Sequence, residues 1–122
     1  MAFLWVALGG AMGSTLRYGI SLALASWFGS GWPFGTFVVN AIGSFAIGVV
    51  MPFFAGREDD PLRMLFVVGV LGGFTTYSSF NYETLALLED EGPSRALAYG
   101  GATVLVCLLL GALGFGLSRA IR

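Results

Sequence analysis

Apolar residues run along this chain in four long stretches, at about residues 2–28, 32–56, 62–88 and 94–119, separated by short polar or glycine-rich turns. A bilayer core about 30 Å thick takes roughly 20 helical residues to cross, and each stretch reaches that length almost free of charge. The pattern predicts an all-α membrane protein of four transmembrane helices, forming one domain over residues 1–122. Gly29-Ser30-Gly31 and Glu89-Asp90-Glu91-Gly92-Pro93 read as turns, and Pro33 stands near a helix start, where its missing N–H costs little. Four crossings put both termini on one side of the bilayer.

The third stretch breaks the pattern near its middle. Gly72-Gly73 leads into Thr75-Thr76-Tyr77-Ser78-Ser79-Phe80-Asn81-Tyr82, a run of hydroxyls at the expected bilayer midplane. Two glycines, a β-branched pair and a serine pair make a poor continuous helix, so the third helix is expected to be interrupted. Unwound backbone at that depth must be buried in protein, coordinate an ion or line a wet cavity. The milder alternative is that Ser and Thr bond back to their own helix carbonyls and only bend it.

Composition agrees with a lipid environment: 57% of the residues are hydrophobic, 11% are charged, and the mean hydropathy is +0.84. Net charge is −1 with no Lys and no basic stripe, which argues against nucleic acid as a partner. There is no His and a single cysteine, Cys107, so the usual metal, haem and Ser-His chemistries lose their common ligand or base. No phosphate loop or nucleophile–base pair is present, and an enzyme is not expected. The first stretch lacks a basic start and contains Arg17, unlike a cleaved signal peptide. Arg57, Arg63, Arg119 and Arg122 lie on one side of the predicted membrane, against Arg95 and a snorkelling Arg17 on the other. That bias favours termini inside so weakly that it is compatible with both orientations.

Small residues recur at four-residue spacing in Gly9-x-x-x-Gly13, Ser44-x-x-x-Gly48, Gly69-x-x-x-Gly73 and Ala112-x-x-x-Gly116, which permits close backbone approach between helices. Asn40 is alone in an apolar second stretch and needs either a neighbouring helix or a substrate as partner. Tyr99, Thr103 and Cys107 share one face of the fourth helix. Glu83 lies a turn beyond Phe80, and Arg17 is the one cation within reach of the membrane interior; whether the two pair is open at this level.

Together, Gly9-Gly10-x-x-Gly13-x-x-x-Arg17-Tyr18, Pro33-x-Gly35-Thr36-x-x-x-Asn40-x-x-Gly43-Ser44 and Gly69-x-x-Gly72-Gly73-Phe74-Thr75-Thr76-Tyr77-Ser78-Ser79-Phe80-x-x-Glu83 closely resemble the Fluc (CrcB-type) fluoride channels. The resemblance covers essentially the whole chain. It implies a passive fluoride-selective channel in the multi-pass plasma-membrane class, exporting cytoplasmic fluoride and so protecting the cell from it. It also implies an antiparallel, dual-topology homodimer with two pores and a structural sodium ion at the dimer centre, held by backbone carbonyls of Gly72 and Thr75. The fluoride pathway would run past Asn40, Tyr77, Ser79, Phe80, Tyr99, Thr103 and Cys107, with Arg17 and Glu83 in structural or vestibule positions. Three of these depart from the family pattern: Tyr77 stands where Phe is usual, Ser79 where Thr is usual, and Cys107 where a hydroxyl is usual. Rival readings from the residues are a small four-helix multidrug exporter, which would want an embedded acid early in the chain, and a non-transporting membrane assembly subunit.

Overall fold

The computed structural model describes all residues 1–122 and is entirely helical. Helix α1 spans Ala2–Phe28. Helix α2 spans Phe34–Val50 and tightens into a 3₁₀ turn over Met51–Phe54, where Pro52 cannot continue the α-helical ladder. A composite helix α3 covers residues 61–74, opened by the Asp60 side chain accepting from the Leu62 N–H. Helix α4 is Tyr77–Glu91 and α5 is Pro93–Ala120, with Gly92 between them at φ 93°, a left-handed turn that glycine adopts without strain.

Two layers of packing organise these helices. Helix α1 lies against α3, and α2 lies against α5, while α4 returns along α5. Both main crossings are set by glycine. A Cβ at Gly9 or Gly13 would meet the backbone of Leu65, Gly69 or Val70, and one at Gly69 or Gly73 would meet that of Gly9 or Gly10. At the second crossing, Gly48 lies on the Gly111 carbonyl and Gly114 on that of Phe45. Three of the four small-residue seams therefore hold helix crossings. The fourth does not: Gly116 faces open space and Ala112 is exposed, and the close face of α5 is the one through Gly111 and Gly114.

Only 16 of the 122 residues are buried. Leu105, Leu108, Leu109 and Leu113 of α5 and Phe3, Leu8 and Met12 of α1 stand exposed. A chain with so much apolar surface uncovered belongs in lipid rather than water. Phe34–Phe54 and Pro93–Ala120 are each long and apolar enough to cross a membrane. Helix α1 has the length, 27 residues, but carries Ser14, Thr15, Arg17 and Ser21 along it.

The glycine crossings generate a contrast. Gly13→Val should push α1 off the backbone of Val70 and Phe74 and cost more than the ~1–3 kcal/mol of ordinary overpacking, because a backbone cannot swing aside. Gly116→Ala should leave stability unchanged. Thermal unfolding in detergent, followed by fluorescence-detected size exclusion, distinguishes the two; equal loss in both variants would contradict the assigned seams.

Candidate functional site

Helix α3 does not approach its end as a regular α-helix. Residues Met64–Leu71 are wound as a π-helix, and the Gly72 N–H reaches back five residues to the Val67 carbonyl. Wide turns of this kind loosen the ladder and are often found at functional sites. After Phe74 the chain extends, with Thr75 at φ −85°, ψ 158° and Thr76 at φ −152°, ψ 118°. Helix α4 then begins, capped by the Thr76 hydroxyl, which accepts from the Ser79 N–H at 3.2 Å.

Two extended residues leave several backbone groups without ladder partners, and side chains from other helices take them up. Asn40 of α2 faces Thr76 as a strand would: its Oδ1 accepts the Thr76 N–H at 2.8 Å, and its Nδ2 donates to the Thr76 carbonyl at 2.9 Å. Both amide atoms are thereby committed in a defined orientation, with one N–H left over. Arg17 of α1 donates from Nε to the Gly73 carbonyl at 3.0 Å. The Thr75 hydroxyl and N–H both turn back to the Leu71 carbonyl at 3.0 Å. Carbonyls at the break stay open, among them that of Gly72, which has lost its i+4 donor because the Thr76 N–H points to Asn40, and that of Thr75, which accepts no hydrogen bond. Carbonyl oxygens are what a hard cation takes as ligands, and Gly72 and Thr75 offer oxygens of that type.

Two cavities flank the break. The larger, about 350 Å³, is walled by Asn40, Gly43 and Ser44 of α2, Gly72 and Thr75, Tyr77 and Phe80 of α4, and Thr103 and Cys107 of α5. It opens at the protein surface, where Tyr77 is 78% exposed. The Phe80 ring lies between two others, 5.5 Å from Tyr77 and 5.6 Å from Tyr99. Thr103 is buried with its hydroxyl unpartnered, and Cys107 is half-buried one turn further along α5.

The second cavity, about 290 Å³, is polar and is lined by Ser14, Arg17, Tyr18, Ser21, Thr36, Thr76, Ser79 and Glu83. Glu83 does not pair with Arg17. Its carboxylate instead accepts two hydroxyls, from Thr36 at 2.7 Å and from the fully buried Tyr99 at 2.8 Å. Trp32 packs edge-on against Tyr99 at 5.5 Å and closes that network from the α2 side.

The candidate residues are thus divided. Asn40, Tyr77, Phe80, Thr103, Cys107, Gly72 and Thr75 meet at the larger cavity, while Ser79, Arg17 and Glu83 border the polar one. Tyr99 lines neither, holding Glu83 from behind. Thr76 belongs to both. Sequence reasoning passed over Thr36 and Thr76 as site residues. Thr36 was within reach, since Thr36, Asn40 and Ser44 recur every four residues and so share the face of α2 that meets the break.

Comparison with known proteins gives one consistent answer. The family described as "CrcB-like protein, Camphor Resistance (CrcB)" matches residues 4–115. A protein of Thermus thermophilus named fluoride-specific ion channel FluC is 46% identical over 120 residues, covering 98% of this chain and 94% of that one. A FluC of Sorangium cellulosum is 44% identical over 119 residues, covering 96% and 94%. One from Magnetococcus marinus is 43% identical over 123 residues, covering 99% of this chain and all of that protein.

The Thr36–Glu83 hydrogen bond lends itself to a direct test. Thr36→Val keeps the shape but leaves one carboxylate oxygen short of a donor, and should cost about 1–3 kcal/mol of stability. Thr36→Ser should restore most of it. Denaturation midpoints in detergent measure both, and a Val variant as stable as the parent would mean that water supplies the missing donor.

Proposed function

This chain belongs to the CrcB-like family, and on that footing we propose that it is a fluoride-specific ion channel, a non-enzymatic membrane protein that lets cytoplasmic fluoride leave the cell passively and so limits its toxicity. The observation that carries the reading furthest is the cavity beside the helix break, where the edges of Phe80 and Tyr77, the spare N–H of Asn40 and the unpartnered hydroxyl of Thr103 meet.

Fluoride is small and strongly hydrated, so a narrow pathway must return by hydrogen bonds what it removes in water. Donors here are neutral. The Thr103 hydroxyl and the second hydrogen of the Asn40 amide can each donate to an anion, and an aromatic edge offers partial positive charge. None of these holds an anion as a lysine would, which favours passage over retention. The Cys107 thiol is a weaker donor than the hydroxyl usual in the family. In this reading Thr76, Ser79 and Asn40 form the narrow link between the polar recess at Arg17 and the aromatic cavity, and Glu83 fixes Thr36 and Tyr99 rather than meeting the anion.

We further propose that the protein crosses the plasma membrane four times, with the break of the third span near mid-bilayer, and works as an antiparallel homodimer with two pores. Support comes from what a single chain leaves uncovered. The larger cavity is open at the protein surface, Tyr77 is exposed, and the Gly72 and Thr75 carbonyls lack donors where lipid can supply none. A second copy related by a twofold axis would cover all three at once. At that axis the Gly72 and Thr75 carbonyls of both copies would hold a sodium ion, whose charge would bind the two breaks together. The arginine bias, four on one membrane side against Arg95 and Arg17 on the other, is weak enough to be compatible with insertion in either direction.

Protein reconstituted in liposomes is expected to release fluoride electrogenically, without chloride. Phe80→Ile removes the aromatic edge, and Asn40→Asp sets a second oxygen against the Thr76 carbonyl; each should slow efflux by roughly tenfold or more. The Tyr77 hydroxyl has no partner within the chain, so Tyr77→Phe should keep efflux within about threefold of the parent. Efflux at full rate from the Phe80 or Asn40 variant would remove these residues from the pathway.

A further inference from the structure

Six arginines are present, and two of them form ion pairs. Arg57 and Arg95 pair with Asp60 and Glu91. Arg63 donates to the Glu58 carbonyl and Arg17 to that of Gly73. The other two, Arg119 and Arg122 at the end of α5, make no ion pair. Both border a cavity of about 370 Å³ whose remaining walls are Pro52, Ala55 and Phe115, with no acidic side chain.

The placement of these two side chains is specific. Arg122 donates from Nη1 to the Pro52 carbonyl at 2.8 Å, a carbonyl made available by the 3₁₀ turn after α2. That bond fixes the guanidinium at the rim and leaves its other N–H groups free. Arg119 lies over the Phe115 ring, 5.4 Å from its centre. Two guanidiniums with no acidic side chain among the lining residues leave the recess positive. Above it on the same face of α5, Leu108, Ala112 and Phe115 form an exposed apolar strip. The recess therefore sits where the hydrocarbon-facing part of the helix ends.

We propose that this recess binds the phosphate of an anionic phospholipid, one per chain, with the acyl chains lying along Leu108 and Phe115. Guanidinium forks match phosphate oxygens in pairs, and between apolar walls such bonds are less screened than in open water. A free phosphate would gain the same charge contacts but nothing from the apolar strip. A zwitterionic lipid would bring its own cation towards the guanidiniums, which weakens the contact. Basic pockets at the ends of membrane helices are suited to acidic headgroups on these grounds. The site is far from the helix break and does not depend on the channel reading.

Native mass spectrometry of the whole purified protein, titrated with phosphatidylglycerol, phosphatidylcholine or inorganic phosphate, tests this. The parent should retain phosphatidylglycerol with about tenfold preference over phosphatidylcholine, and phosphate should not displace it. Arg119→Gln with Arg122→Gln should abolish the preference, and Arg119→Gln alone, which disturbs only the contact with Phe115, should reduce it. Arg95→Gln, at the other end of α5, should leave it intact. A monodisperse size-exclusion peak and the parent's thermal unfolding midpoint show that a variant is folded. An undiminished preference in the folded Arg119→Gln variant, loss of preference in Arg95→Gln, or displacement by inorganic phosphate would each overturn the proposal.

Discussion

In hydrocarbon a backbone N–H or C=O without a partner costs several kcal/mol, because no water is present to replace the lost bond. A helix can be broken there only if other groups take over its hydrogen bonds. The pairing of Asn40 with both backbone atoms of Thr76 performs that substitution here, and most of the local architecture follows from it. An amide is the one uncharged side chain that offers donor and acceptor side by side in the spacing of a peptide group. Serine or threonine in its place would satisfy one Thr76 group and leave the other bare. Arg17 completes the substitution at Gly73, where a guanidinium gains a carbonyl dipole and the carbonyl gains a donor, although neither is neutralised.

Asn40 can reach the break only because α2 comes very close to it. Gly43 is one turn along the same helix, and a Cβ there would overlap the Thr75 methyl. On the opposite side, Gly13 of α1 lies on the Val70 carbonyl and the Phe74 N–H. The break is thus held between two glycine faces, and the extended residues have no room to relax into a continuous helix. Lipid gives little hydrophobic reward for bringing helices together, so close backbone approach and interhelical hydrogen bonds must supply the association. The same residues that shape the break also hold the bundle together. This explains how a chain that buries only 16 residues keeps a defined interior.

Much of this organisation was legible in the residues. Four apolar stretches with turn residues between them translate directly into helices, because length and polarity are local properties. Gly72-Gly73 and the hydroxyl run marked the interruption for the same reason. What could not be read was pairing across the bundle. On charge alone Glu83 and Arg17 could pair, yet Glu83 is satisfied by Thr36 and Tyr99 and Arg17 by a carbonyl. Two hydroxyl donors can stabilise a carboxylate without an opposite charge, and sequence does not say which hydroxyls lie near. The π-wound stretch before Gly72 was equally hidden, since Met64–Leu71 is plain apolar sequence. Nor did spacing reveal that Gly111 and Gly114, rather than Ala112 and Gly116, face α2.

The division of the polar residues between two cavities follows from helix geometry. Residues two apart on a helix point roughly 200° away from each other. Tyr77 and Ser79 therefore cannot line the same wall, and the structure has them on opposite sides of α4, Tyr77 towards the aromatic cavity and Ser79 towards Arg17 and Glu83. Thr76, directly before them, has no such constraint, because its extended backbone lets it border both spaces. In the proposed pathway, an ion moving from one cavity to the other passes the residue whose backbone Asn40 holds. The groups that stabilise the break and those that would define the passage are then the same two residues. A side chain at position 40 that loosened its hold on Thr76 would alter the passage even if it never touched the ion.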